Sequence, residues 1–143
     1  MNEYLKELNL IDLVSEKHKR LRSEVMKRWI DKDGEEITDT ESHFLAMLNK
    51  NSMTIAQAAR KIRVSRQAAH KCAMKLIDEE YVKVIPIEGN KKEKLVLLTA
   101  KGQSYCDEML KIKKKIEDEI SLRIGKDKTE ELKVLLRTDW IDE

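Results

Sequence analysis

The sequence has few of the residues on which covalent or metal-stabilised scaffolds depend. Its two cysteines, Cys72 and Cys106, are too few for a disulfide framework. Neither lies among histidines or other cysteines at the spacing of metal ligands. No metal, cofactor or disulfide is therefore expected, and both thiols are interpreted as small, buried apolar side chains.

Long apolar runs, glycine, proline and aromatic residues are also scarce. The 143 residues include 4 glycines and 1 proline, and aromatic residues make up 4%. No run approaches the length of a membrane span, and the N-terminus lacks a signal-peptide pattern. Charged residues account for 39% of the chain, which is typical of a helix-rich protein with solvated helix faces. We therefore expect a cytoplasmic protein with no membrane partner.

No catalytic constellation is recognisable. The carboxylates are spread as solvated helix charges, no nucleophile is paired with a base, and no glycine-rich loop could hold a phosphate. The expectation is a protein that is not an enzyme and has no catalytic residues.

Helical periodicity dominates both ends of the chain. A stripe of apolar residues and one histidine at three- and four-residue steps predicts one helix from Tyr4 to about Ile30, ended by Asp31–Gly34. Its members are Tyr4, Leu8, Ile11, Val14, His18, Leu21, Val25 and Trp29. A capping box, Thr38-x-x-Glu41, opens a second helix. Towards the C-terminus, helices are predicted from Ala100 to about Ile124 and from Asp127-x-x-Glu130 onward.

The middle of the chain has the pattern of a helix-turn-helix. A helix from Ile55 to about Ile62 carries a small residue, Ala59, where a second helix can cross it, and Val64 supplies the apolar plug of the turn. Ser65 is placed to cap the second helix, which ends near Glu80. At 100° per residue, that helix has one apolar and one polar face. The apolar face holds Ala69, Cys72, Ala73 and Leu76, and the other holds Arg66, Gln67, His70, Lys71 and Met74.

A change of period follows the second helix. Residues 81–87 and 94–99 are rich in β-branched and aliphatic side chains, and Glu88–Lys92 separates them. They predict a β-hairpin in which Pro86 suits an edge or a bulge. The sequence thus predicts a mainly α fold with a small β-hairpin wing (α+β), a winged helix-turn-helix.

Positive charge is concentrated in the same segment. Residues 54–102 contain 11 Lys and Arg against 5 Asp and Glu, a net +6 in a chain whose total is +2. This asymmetry is typical of phosphate binding. The polar face suits a major groove, since Arg can pair with guanine and Gln with adenine. A solvated helix face remains the alternative interpretation.

Four short segments carry a resemblance over essentially the full chain. They are Ile37-Thr38, Val64-Ser-Arg-Gln-Ala68, Leu76-x-x-Glu-x-Tyr81-Val82 and Leu98-Thr-Ala-Lys-Gly102. The chain resembles the MarR family of bacterial winged helix-turn-helix transcription regulators. The resemblance implies a homodimer formed by the first and last helices, with the helix Ser65–Glu80 in the major groove of double-stranded DNA and the wing at the minor groove. It divides the chain into an N-terminal dimerisation helix (1–34), a DNA-binding lobe (35–102) and C-terminal dimerisation helices (103–143) within one intertwined domain.

The resemblance also assigns roles to individual residues. It places Ser65, Arg66, Gln67, His70 and Lys71 on the DNA-contacting recognition helix. The DNA-binding wing would comprise Asn90, Lys91, Lys92 and Lys94. Asn90 and Lys92 depart from the acidic residue and arginine common at the family's wing tip, and lysine lacks the planar fork that suits a narrow minor groove.

Release of DNA by a small molecule is a further implication of the resemblance. We expect a repressor that a small aromatic or phenolic effector releases, with His18 and Trp29 at the candidate effector pocket; packing is the alternative role for both. Oxidant sensing would require a partly exposed Cys106, because Cys72 lies on the inner helix face. The competing function is a winged-helix module for protein–protein association that has no operator.

Overall fold

The computed structural model of the chain describes residues 3–32 and 34–142. Asp33, part of the predicted stop at Asp31–Gly34, lies outside the described residues. Within the described ranges the chain forms seven helices and one three-stranded sheet. The elements are α1 (Glu3–Lys6), α2 (Leu10–Asp31), α3 (Asp39–Lys50), β1 (Met53–Thr54), α4 (Ile55–Ile62), α5 (Arg66–Asp78), β2 (Val82–Ile87), β3 (Asn90–Leu98), α6 (Ala100–Ile124) and α7 (Lys126–Arg137).

The N-terminal segment forms two helices, so the prediction of one continuous helix is wrong. Helix α1 ends at Lys6, and α2 begins after Asn9, whose side chain accepts a hydrogen bond from the Asp12 amide at 2.8 Å. An asparagine in extended backbone conformation at this position satisfies an amide of the first turn and starts a new helix.

The helix-turn-helix forms as predicted. Thr38 and Glu41 make the expected capping box at the start of α3. Helix α4 spans the predicted residues and ends at Arg63, which adopts a left-handed conformation with φ of 56°. Ser65 then caps α5 by accepting a hydrogen bond from the Ala68 amide at 3.0 Å.

The wing is confirmed, with one addition. Strands β2 and β3 form an antiparallel hairpin whose register shifts between Pro86 and Ile87, so the proline lies at a bulge. Its turn is tighter than expected, because Gly89 takes a φ of +78° and β3 already begins at Asn90. The addition is β1, which pairs with the other edge of β3 to give the order β1-β3-β2.

The C-terminal helices differ from the prediction at their junction. Helix α6 runs from Ala100 to Ile124, as expected. The start predicted at Asp127-x-x-Glu130 is one residue late, because α7 begins at Lys126 directly after Gly125. The φ of +96° at Gly125 turns the backbone sharply enough for a new helix to start without a side-chain cap.

The core joins the winged lobe to the long helices. Phe44, Leu45, Leu76 and Val96 are fully buried and bring together α3, α5 and the sheet. Tyr105 of α6 extends this core towards α2, since its ring packs edge-to-face on Trp29 at 4.9 Å between centroids. No helix in the described ranges is long and apolar enough to cross a membrane.

Candidate nucleic-acid interface

Helix α5 has the two faces that the sequence predicts. Ala69, Ala73 and Leu76 are fully buried, and Cys72 is 7% exposed. The side chains of the opposite face are all exposed: Arg66, Gln67, His70, Lys71 and Met74. Small inner residues let α5 approach α4 closely, while the exposed face offers guanidinium, amide, imidazole and ammonium groups to a binding partner.

Of the four predicted wing residues, Asn90 stabilises the turn and the other three are lysines. The Asn90 carboxamide oxygen accepts hydrogen bonds from the amides of Lys92 at 2.9 Å and Glu93 at 3.0 Å. Asn90 therefore shapes the start of β3. The side chains of Lys91, Lys92 and Lys94 are exposed, and each can bring its ammonium group to a phosphate.

A groove of about 730 Å³ separates α5 from the wing and brings several predicted residues together. Arg66, Gln67 and His70 line one wall, and Lys92 and Lys94 line the other. Ser65, Lys71, Asn90 and Lys91 lie outside this lining. The structure thus places five of the side chains that the sequence predicts to contact DNA around a single depression.

The floor of the groove was not predicted from the sequence. It is apolar and formed largely by Ile55, Met74, Ile77 and Val84, with Glu93 at its edge. A second capping box, Thr54-x-x-Gln57, starts α4 here, with each side chain bonded to the other residue's amide. This spacing is a recognisable sequence signal that would have located the start of α4 beside the groove.

An ion pair between a buried acid and an exposed lysine, behind α5, was also missed. Glu41 of α3 is 3% exposed, and its Oε1 lies 3.0 Å from Lys75 Nζ of α5. Burial opposes ionisation of Glu41, but hydrogen bonds from Thr38 and Lys75 outweigh it and lower the pKa of the carboxyl. The pair is separated by 34 residues, so no local spacing signals it.

The structure places the two candidate effector residues apart. His18 lines a cleft of about 280 Å³ between α2, α3 and α6. Trp29 lies eleven residues further along α2, about 16 Å away along the helix axis. Its indole donates a hydrogen bond to the Glu35 carbonyl at 2.7 Å while the ring packs on Tyr105.

Neither thiol is suited to redox sensing. Cys106 is 4% exposed, and burial raises its pKa to about 11. The interpretation of Cys106 as a buried side chain is confirmed, and the partial exposure that oxidant sensing would require does not occur, because the side chain turns inward and lies 3.5 Å from the Leu45 carbonyl. Cys72 is buried as predicted, and burial raises its pKa to about 12.

Comparison with known proteins identifies a similar transcription regulator. No family model matches the chain. The HTH-type transcriptional regulator TcaR of Staphylococcus aureus is 30% identical over 103 residues, which cover 71% of this chain and 68% of that protein.

Solved structures share the fold at lower identity. The reduced form of MarR from E. coli superposes with a TM-score of 0.78 at 18% identity, covering 91% of this chain and 95% of that one. NadR in complex with 4-hydroxyphenylacetate gives 0.70 at 18% identity, covering 92% of each chain. With its helix-turn-helix, its wing and its similarity to TcaR, the chain belongs to the MarR family of DNA-binding transcription regulators.

Proposed function

We propose that the protein binds a pseudo-palindromic operator as a homodimer and represses the adjacent genes until a small effector releases it. The observation that carries this proposal is the groove that joins Arg66, Gln67 and His70 to the wing lysines Lys92 and Lys94. A regulator of this kind acts on the bacterial chromosome, so the proposed location is the cytoplasm.

Base reading is assigned to the N-terminal half of α5. Arg66 can donate two hydrogen bonds to a guanine, and Gln67 can pair with an adenine, each good contact discriminating by about 1–3 kcal/mol. His70 lies one turn further along the same exposed face. Ser65 and Lys71 flank these residues and would hold phosphates, as would Lys91, Lys92 and Lys94 of the wing.

Dimerisation is proposed through residues 1–34 and 103–143, which flank the DNA-binding lobe of residues 35–102. Large apolar side chains at both ends of the chain are exposed in the single protomer, and such patches mark interaction surfaces. They include Leu10 at 63%, Ile11 at 78%, Leu122 at 87%, Leu135 at 52% and Trp140 at 53%. A second copy of the chain would cover them and set two α5 helices about one DNA turn, some 34 Å, apart. Light scattering after size-exclusion chromatography tests this with Leu122→Glu, which would give a monomer.

The cleft beside His18 is the proposed effector site. Arg22 and Lys113 line it with the two histidines His18 and His43, against one acid, Asp39. Partial desolvation, and secondarily the nearby Arg22 guanidinium, lower the pKa of Lys113. An anionic ligand would offset the repulsion from Arg22 and favour the charged form of Lys113. NadR was solved with 4-hydroxyphenylacetate, and we propose a small aromatic acid of this kind for the present chain.

The same cleft offers a route to the recognition helix. Thr40, Ser42 and His43 of α3 line the cleft, while Glu41 of the same turn contacts Lys75 of α5. An effector would release DNA by favouring a spacing of the two α5 helices that no longer matches successive major grooves.

Fluorescence anisotropy with labelled duplexes tests the operator proposal. A duplex selected by the wild type from a random library should bind far more tightly than a random duplex. The variant Arg66→Ala/Gln67→Ala should lose this preference while keeping its fold by circular dichroism. Equal binding to both duplexes by the wild type would contradict operator recognition and favour the protein-association alternative.

Calorimetry tests the effector proposal with a matched pair of ligands. 4-Hydroxyphenylacetate should bind, whereas the neutral 4-hydroxyphenylacetamide should not. Lys113→Gln should weaken binding of the acid. If the acid and the amide bind alike, the cleft does not select an anion.

A further inference from the structure

Glu41 is an acid buried between two helices that are remote in sequence. Its Oε1 accepts hydrogen bonds from the Thr38 amide and from Lys75 Nζ, each at 3.0 Å. Its Oε2 is buried and has no hydrogen-bond partner among the described residues. The charge of this carboxylate is therefore balanced chiefly by one cation, and that cation belongs to the recognition helix.

Lys75 lies on the flank of α5 that faces away from the wing. At 100° per residue it is about 160° around the helix from Ile77, which lines the groove between α5 and the wing. The inner face, between these flanks, packs through Ala69, Ala73 and Leu76. The two alanines pack closely but have little shape to resist rotation of the helix about its own axis, which leaves Leu76 as the one large anchor among these three side chains.

The contact of Glu41 with Lys75 adds to the resistance that Leu76 provides. The Glu41 carboxylate is buried whereas the Lys75 side chain is 49% exposed, so the pair adds little net stability, but removal of the lysine would leave a buried carboxylate without its cation, which is costly. Rotation or sliding of α5 would separate Lys75 from a carboxylate that has no alternative cation among the described residues. The pair therefore favours a single orientation of the helix, which is the geometrical condition for base contacts by Arg66 and Gln67.

We infer that Glu41 is a positioning residue for DNA recognition: through Lys75 it fixes the orientation of α5 and thereby the discrimination between operator and random DNA. The inference rests on the proposed operator recognition. An acid on α3, remote from the DNA, thus affects specificity. This effect is distinct from the electrostatic attraction of Lys75 itself to DNA.

The test compares Glu41→Gln with the wild type on the duplex selected from a random library and on a random duplex. Glutamine keeps an acceptor for the Thr38 amide, because either Glu or Gln completes a capping box, but it removes the charge that holds Lys75. The specificity ratio is the dissociation constant for the random duplex divided by that for the selected duplex. We expect this ratio to fall about tenfold, which corresponds to the loss of roughly one base contact. Affinity for random DNA should stay level or rise, since Lys75 becomes free to meet phosphates.

Three further variants make the comparison specific. Lys75→Arg keeps a cation opposite Glu41 and should retain the ratio. Glu41→Gln/Lys75→Gln removes both charges, avoids an unpaired buried carboxylate and should show the same low ratio as Glu41→Gln. Glu131→Gln removes one negative charge from an exposed side chain of α7 and should leave the ratio unchanged.

A second measurement needs no DNA. Amide hydrogen exchange of the free protein should accelerate in α5 of Glu41→Gln about tenfold, and in α4 much less, with Lys75→Arg close to the wild type. An unchanged ratio, or equal weakening on both duplexes, would overturn the inference. If the wild type shows no preference among duplexes, the operator proposal fails. The positioning role of Glu41 is then judged by hydrogen exchange alone, and unchanged exchange in α5 of Glu41→Gln would overturn it.

Discussion

The salt dependence of DNA binding offers the sharpest test of how the wing contributes. Five exposed cations lie on the proposed DNA-binding surface of each protomer: Arg66, Lys71, Lys91, Lys92 and Lys94. The perturbation is Lys91→Gln/Lys92→Gln/Lys94→Gln, which removes the three wing charges. It leaves the Asn90 side chain and the backbone amides that it binds in place.

The magnitude follows from counterion release. If each cation neutralises the charge of one phosphate, whether it bonds to that phosphate or, like Arg66, to a base beside it, a dimer neutralises about ten phosphates, and log K should fall with log salt at a slope of about −9. Raising salt from 50 to 200 mM would then weaken binding by a factor on the order of 10⁵. The triple variant keeps two cations per protomer, which predicts a slope of about −4 and a loss of only about 10² over the same range.

Anisotropy titrations of the selected duplex at four salt concentrations measure both slopes. The matched control is Lys114→Gln/Lys126→Gln/Lys128→Gln, which removes three exposed charges from α6 and α7 and should leave the slope near −9. A wild-type slope close to −2 would refute phosphate binding by this surface. A triple wing variant with the wild-type slope would show that the wing does not meet DNA.

Three other predictions concern the folded protein. The pKa of Glu41 lies below its ordinary value of 4.5. The stabilisation that its ionised carboxylate gives is therefore full above pH 4.5 and is lost as the pH falls through the folded-state pKa. The denaturation midpoints of the wild type and Glu41→Gln should converge in acid, and a constant difference would contradict this. Gly102→Ala places a Cβ inside contact distance of the Tyr81 carbonyl and should cost about 1–3 kcal/mol in urea denaturation; an unchanged midpoint would show that the backbone yields freely. Hydrogen peroxide should leave DNA affinity unchanged, because burial of Cys72 and Cys106 suppresses their thiolates; a loss that Cys106→Ser prevents would disprove it.

Local signals account for most of the fold that could be predicted. Caps act within one helical turn, which is why Thr38 and Ser65 mark the starts of α3 and α5 correctly. The β-branched and aliphatic side chains of residues 81–87 and 94–99, with the turn residues around Gly89 between them, likewise indicate the hairpin. The two faces of α5 follow from helical geometry alone, so the exposed residues Arg66 and Gln67 could be assigned to the candidate site from sequence.

The remaining features depend on contacts between distant residues. Strand β1 has only two residues, and it exists because Met53 and Thr54 pair with Val96 and Leu95. The ion pair of Glu41 with Lys75 spans 34 residues. Periodicity also identifies an apolar face without showing what covers it. It therefore could not show that Ile11, in the predicted stripe of the first helix, stays 78% exposed.

The departure of the wing tip from the family pattern affects which element contributes attraction to DNA and which contributes base reading. Asn90 accepts two amide hydrogen bonds and so maintains the turn without placing a negative charge near phosphates. Lys92 keeps a positive charge but lacks the planar guanidinium that suits a narrow minor groove. We therefore expect the wing to contribute attraction and α5 to contribute most of the base reading. Discrimination then depends on how firmly α5 is oriented, which gives the contact between the buried Glu41 carboxylate and Lys75 its significance.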